Sequence, residues 1–338
     1  MFTCRFLTVL VMISLICCVI GCSCGKRGSV PTSSQTQDFS DSPDSPDTPE
    51  YPGFSNDTLY VYCIDVGQGD ATLIVSPTNK TVLIDAGDAN KGYDEVFPFL
   101  DSLGITSLDY IIATHYHEDH IGGIDEVINS IGLDSIKECV YDRGWGYHGT
   151  QYDQYVTAAG SKRMEIEDST VINLGIGITL TCVAVNGNGV LPGPFSDGEY
   201  DENDLCVALK LSNGYCDFFV AGDLSGQNTS KYKDIETSVA PEVGKVEIYQ
   251  VNHHGSKYSS NEYFVSTLHP IVSILSVGDN SYGHPDTGVI ARLESVASVI
   301  YQTEDPDGNV IDGDISIKFY LKDFLVNNDL YTCTYVRP

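Results

Sequence analysis

Six consecutive residues, His115-Tyr116-His117-Glu118-Asp119-His120, bring three imidazoles and two carboxylates together directly behind an apolar run, Tyr110-Ile111-Ile112-Ala113. The run reads as a strand, so the six residues occupy the loop that leaves its end. Neutral imidazole and carboxylate are ligands of borderline divalent metals such as zinc, manganese and iron. Histidine is scarce, with eight in the chain, so crowding three of them here points to a metal site rather than a His-rich surface loop. A fold that carries such a site needs strand-end loops collected on one edge, where irregular backbone does chemistry.

A chain of 338 residues can bury one large core or two ordinary domains. The formal charge of −29 bears directly on partners. An acidic surface repels polyanions at long range, which argues against nonspecific nucleic-acid binding over a broad face. A metal centre is the exception, because bound cations dominate the local field and can seat a phosphate.

The first 22 residues do not belong to the folded domain. Arg5 precedes an apolar run from Leu7 to Ile20, which is short for a membrane-spanning anchor. The run ends Val19-Ile20-Gly21-Cys22, which resembles the lipobox of bacterial lipoproteins. That resemblance implies acylation of Cys22 and a lipid anchor on the cell membrane, with a secreted protein as the alternative if the segment is an ordinary signal peptide. Either way the remainder is extracytoplasmic. Residues 23–57 are rich in Ser, Pro and Asp, as in Asp41-Ser42-Pro43-Asp44-Ser45-Pro46, and read as a disordered acidic spacer. One domain is expected over residues 58–338. Its cysteines, Cys63, Cys139, Cys182, Cys206, Cys216 and Cys333, permit disulfides outside the cytoplasm, but their spacing implies no particular pairing.

Short apolar segments predict strands over Leu59–Asp65, Ala71–Val75 and Thr81–Asp85, then into Thr114. Others are expected at Ile178–Val183, Leu205–Leu211, Cys216–Ala221, Val246–Val251 and Ile271–Leu275. Helical spacing appears over Asp94–Leu103, Ile124–Ile131, Asn261–Leu268 and Thr287–Val296. Strands dominate both halves, so the fold class is α/β or α+β with a sandwich of sheets.

At this point the motifs converge on a family. The stretch from His115 to Gly123 resembles the HxHxDHxGG signature of the metallo-β-lactamase superfamily, and Leu83-Ile84-Asp85-Ala86-Gly87 resembles its upstream motif. Asp65-Val66-Gly67-Gln68-Gly69-Asp70, Ala221-Gly222-Asp223, Val251-Asn252-His253-His254-Gly255-Ser256 and Asn280-Ser281-Tyr282-Gly283-His284-Pro285 look like the hydrolase domain of ComEC-type competence proteins. The likeness runs from about residue 60 to 320 and implies an αββα sandwich with a dinuclear site at one edge, where Asp85 orders the loop. Nothing in the sequence resembles the multi-helix membrane channel of full competence proteins.

Two divalent ions are expected, zinc first, with manganese or iron as alternatives. His115 and His117 turn toward one, and Asp119 and His120 serve the other. Asp223 is the expected bridge and His253 the last ligand of the second ion. Asp204, or its neighbour Asn203, stands where the superfamily often supplies a further histidine. Two bridged metals bring a shared water toward neutrality as a hydroxide nucleophile. Asp119 is placed to orient that water and relay protons, while His254, Ser256, Lys257 and His284 hold a phosphate or carbonyl oxygen. The resemblance favours phosphodiester hydrolysis, with DNA the first candidate. A phosphocholine-type ester, or amide and lactone hydrolysis including β-lactams, would suit the same metals. A surface module with a structural metal is the non-enzyme alternative. No feature implies a protein partner.

Overall fold

The computed structural model describes residues 58–333 apart from 194, 196 and 197. Residues 1–57, with the segment read as an export signal, Cys22 and the stretch read as a spacer, lie outside the described residues. The early apolar runs become β1 (Leu59–Cys63), β2 (Thr72–Val75) and β3 (Thr81–Ile84), followed by β4 (Leu108–Ile112), β5 (Ile136–Asp142) and β6 (Arg163–Glu165). The middle of the chain forms β7 (Val171–Gly175), β8 (Ile178–Ala184), β9 (Ala208–Ser212), β10 (Asp217–Val220), β11 (Ile248–Gln250), β12 (Val272–Leu275) and β13 (Val299–Gln302). A terminal meander supplies β14 (Ile315–Tyr320), β15 (Asp323–Val326) and β16 (Asp329–Thr332).

Among the described residues these strands form two sheets, ordered β16-β15-β14-β1-β2-β3-β4-β5-β6 and β13-β12-β11-β10-β9-β8-β7. Each sheet is mixed. From β3 to β6 and from β10 to β13 the neighbours run parallel, and the other pairs are antiparallel. Between the sheets lie Val61, Ile84 and Ile112 from one side and Leu209, Phe218, Ile248 and Ile274 from the other. The opposite faces are covered by helices α1 (Phe97–Ser102), α2 (Glu118–Ile121), α3 (Ile124–Ile131) and α4 (Thr150–Ala159) over the first sheet, where Leu83 and Ile111 pack with Leu100, Ile124 and Val127. Over the second sheet, α5 (Glu236–Val243), α6 (Glu262–Leu268) and α7 (Thr287–Ser295) bury Phe219 and Tyr249 against Val239, Phe264 and Leu293. Strands buried on both faces carry near-continuous apolar sequence, which is why β2 and β3 show no polar alternation. The result is an αββα sandwich of the metallo-β-lactamase type.

Several elements were not expected. α4 buries only Tyr152, Tyr155 and Ala159, a stripe too thin to stand out among Gln, Asp and Thr. Pro241 interrupts the pattern of α5, because it removes a backbone donor from the helix interior. β9 begins later than Leu205, since Glu202–Leu205 forms a 3-10 turn capped by the Asp201 side chain, which accepts the Asn203 amide at 3.2 Å. Cys216 and Cys333 form a disulfide that joins the start of β10 to the end of the β14–β16 meander. No helix of the described residues is long and apolar enough to cross a membrane.

Candidate metal centre

The parallel strands of both sheets release their carboxyl-end loops onto one edge, and the chemistry collects there. At the end of β3, Asp85 is buried and adopts the left-handed conformation, with φ 56°. Its Oδ1 accepts the Thr114 amide at 2.8 Å, and its Oδ2 accepts the Thr114 hydroxyl at 2.6 Å. The same Oδ2 stands 2.9 Å from His120 Nδ1. Asp85 therefore fixes both the exit of β4 and the orientation of an imidazole without itself facing the cleft. Gly222, ahead of Asp223, has φ 49°, and a Cβ there would lie 2.4 Å from Thr114 Oγ1. A side chain at 222 would push the two sheets' loops apart, so glycine is required by close approach.

The ring nitrogens His115 Nε2 and His117 Nδ1 stand 3.1 Å apart, and Asp223 Oδ2 is 3.8 Å from His115 Nε2 and 3.4 Å from His253 Nε2. On the other side, Asp223 Oδ1 lies 3.1 Å from His120 Nε2 and 3.4 Å from His254 Nε2. His254 Nε2 is also 3.3 Å from Asp119 Oδ2. One carboxylate thus presents a separate oxygen to each of two donor sets. His254 Nδ1 points at the Ser276 carbonyl at 2.8 Å, which holds that proton on Nδ1 and turns the Nε2 lone pair inward. His120 Nδ1, against Asp85, is arranged in the same way. The buried atoms His120 Nε2, His254 Nε2 and Asp223 Oδ1 have no hydrogen-bond partner among the described residues. Three convergent, desolvated donors of this chemistry fit a divalent cation.

Electrostatics agrees with that fit. Burial raises the Asp119 carboxyl, but His120 and His254 outweigh it and bring its pKa down to about 2. Burial opposes charge on His120, yet Asp223 and Asp119 hold it well above the ordinary imidazole value. His115 is pushed well below that value by burial, then by His120. Burial likewise opposes charge on His254, but Asp223, Asp119 and Asp70 raise it to about 9, so these carboxylates hold protons on His120 and His254 at the positions where a cation would take their place.

Other expected site residues are placed differently. His254, rather than His253, lies with Asp119 and His120. His253 lies on the other side of Asp223, with Nε2 3.4 Å from Asp223 Oδ2, and Asn203 Nδ2 is 3.3 Å from both its ring and that oxygen, so both histidines of the pair reach the centre. Asp204 turns away and takes the Lys233 amide on both oxygens, at 3.0 and 3.1 Å. Burial lifts its pKa to about 6. Asn203 is therefore the residue of that turn that reaches the centre. His284 is buried over His253 and His254, with ring centroids 5.3 and 6.3 Å away. Burial, then the two histidines, lower its pKa to about 4, so it stays neutral. Lys257 is exposed on the wall of a cleft of about 540 Å³ whose floor is the donor set.

Two contributors escaped the sequence reading. Asp70 is buried with Oδ1 3.8 Å from His254 Nδ1 and Oδ2 3.9 Å from His120 Nδ1. Its place in Asp65–Asp70 marked a motif but not its aim. Glu236, the first residue of α5, is buried and accepts Asn252 Nδ2 at 2.8 Å, the Ser260 amide at 2.6 Å and the Asn261 amide at 2.7 Å. It clamps both ends of the turn that carries His253 and His254, each left-handed with φ 54° and 52°. No local signal marks a glutamate for that task.

Residues 64–190 match the Metallo-beta-lactamase superfamily. That stretch runs from the end of β1 through the His/Asp loop to the turn after β8, so the match covers the loop of the metal centre and the strands that carry it. Over a longer stretch the chain is similar to ComE operon protein 3 of Bacillus subtilis (strain 168), 25% identical over 258 residues, covering 71% of this chain and 31% of that protein. It is likewise similar to Recombination protein 2 of Haemophilus influenzae, 27% identical over 271 residues, covering 79% of this chain and 29% of that protein. The chain therefore spans about a third of the length of these relatives. Among solved structures, the metallo-beta-lactamase fold protein YhfI from Bacillus subtilis covers 78% of this chain and 100% of its own, with TM-score 0.46 and 13% identity.

Proposed function

We propose that the domain is a dinuclear metal-dependent phosphodiesterase, with DNA as its first candidate substrate, exported and held at the membrane by a lipid on Cys22. The observation that carries the reading is the division of Asp223 between two donor sets: Oδ2 faces His115, beside His117, and His253, while Oδ1 faces His120 and His254, beside Asp119. Two ions there would supply an activated water and a positive seat for phosphate oxygens. The residues' own tasks follow from their positions. Asp119, ionised and partly open to the cleft, holds and orients a proton-bearing group. Neutral His284 and the ammonium of Lys257 stand above the floor, where they can donate to substrate oxygens. Asn203 steadies Asp223 and His253 from below.

Relatives named for competence and recombination support DNA over small esters. The Cys216–Cys333 disulfide supports an oxidising location, since such bonds do not persist in most cytoplasms. The deciding experiment is metal content of the purified chain together with turnover of bis(p-nitrophenyl) phosphate and DNA. About two ions per chain with turnover of both is the expected result. Turnover of β-lactams or lactones with neither phosphodiester cleaved would overturn it.

A further inference from the structure

The loop between β12 and α7 presents an aromatic ring to water at the mouth of the cleft. Tyr282 is 76% exposed, yet the backbone beneath it is held on all sides by one side chain. Asn280 Oδ1 accepts the amides of Tyr282, Gly283 and His284 at 3.2, 3.1 and 3.1 Å. Its Nδ2 donates to the carbonyls of Gly278 and His284 at 2.8 and 3.0 Å. Five hydrogen bonds from a single asparagine make a preorganised perch, and what it carries is a large ring left in solvent. The ring belongs to a series. His254 at the floor, His284 above it and Tyr282 outermost follow one another with centroids 6.3 and 5.7 Å apart. The two upper rings are inclined by 32°.

We infer that Tyr282 is a stacking platform for an unpaired nucleobase next to the scissile phosphate, so that the cleft takes single-stranded nucleic acid. This rests on the phosphodiesterase reading and specifies its substrate. A strand whose phosphate sits on the floor projects its next nucleotide toward the mouth, where the outermost ring offers a π face. The same cleft is lined by the exposed Lys257, its Nζ 5.1 Å from the Tyr258 ring centroid, which suits the neighbouring phosphate. Lys231 is less available for that role, being paired with Asp201 at 3.1 Å. Stacking also answers the chain's acidity. With a net charge of −29 the surface gathers polyanions poorly, and an aromatic contact holds a base without help from charge. A base inside a duplex has no free face for the ring, so duplex DNA gains nothing from it.

The test compares a short single-stranded oligonucleotide with its abasic counterpart, which keeps every sugar and phosphate, on the metal-loaded full chain. Bis(p-nitrophenyl) phosphate is followed in parallel. The wild type should favour the base-bearing strand by about tenfold in kcat/KM, as one base–aromatic stack provides. In Tyr282→Ala that ratio should collapse toward one, and Tyr282→Phe should retain it. Equal cleavage of both strands by the wild type, or an unchanged ratio in Tyr282→Ala, overturns the inference while turnover of the dye leaves the phosphodiesterase reading standing. A preference for p-nitrophenylphosphocholine that Tyr282→Ala abolishes also overturns it, since the ring would then be holding a quaternary ammonium. Failure to turn over any phosphodiester would instead remove the reading beneath it.

Discussion

The two sheets contribute to the centre in different ways. The first delivers His115, His117, Asp119 and His120 from a single loop, oriented by Asp85 one strand away. The second delivers Asn203, Asp223 and His254 from three separate loops, each held by a distant group: Arg143 on the Glu202 carboxylate of the 202–205 turn, Thr114 against Gly222, and Ser276 and Glu236 behind the histidine pair. In one half ligand order is a local property of sequence. In the other it is a tertiary property, set by what braces each loop.

The sharpest way to break this contrast is to remove the residue that joins the halves. Asp223→Ala should strip metal from both donor sets and depress hydrolysis by more than the roughly hundredfold typical of losing an outer partner. Retention of two ions by that variant, measured by elemental analysis, would falsify the bridge. A finer cut separates neighbours. His254→Ala and His253→Ala should each lose one ion of two, because the rings stand against different oxygens of Asp223, and retention of both ions by either variant would remove that histidine from the donor set. Asp85→Asn probes the first half, where metal affinity should weaken by about 10- to 100-fold while the fold survives, as read by metal titration and circular dichroism.

The smallest effect concerns Glu236, whose burial, partly offset by the Asn261, Asn252 and Ser260 donors, raises its pKa from 4.5 to about 7. Between those values the folded chain keeps a proton that the unfolded chain releases, so stability should fall as pH rises through that window, by roughly 3 kcal/mol at most. Glu236→Gln should flatten that part of the pH–stability curve in urea melts. An unchanged slope would mean that the three donors hold the carboxylate ionised throughout.

The asymmetry also explains what could be read in advance. The strand into Thr114 and the six residues after it were legible because a buried strand and its ligands are contiguous. The separate places of His253 and His254 were not, because both follow β11 and only the left-handed turn sends one ring to each oxygen of Asp223. Asp204 misled for a related reason. A carboxylate is the better metal ligand by type, but the 3-10 turn directs Asn203 to the centre and Asp204 to the Lys233 amide. In the fold, β14 was missed although Ile315, Ile317 and Phe319 alternate cleanly inward, a signal present in the sequence. The Cys216–Cys333 pair could not be read, since β10 and the end of the meander meet only after the sheets are assembled.

The position of β1 has a mechanical consequence. Any pull transmitted through the residues ahead of Thr58 arrives first at this strand, which lies between β14 and β2 with five paired positions on one flank and four on the other. Both flanks are antiparallel to it, so a load along the strand shears the two ladders together rather than unzipping them bond by bond. A domain towed from that end would resist as a block, with β2 between the loaded strand and the β3 and β4 ends that carry half of the donor set.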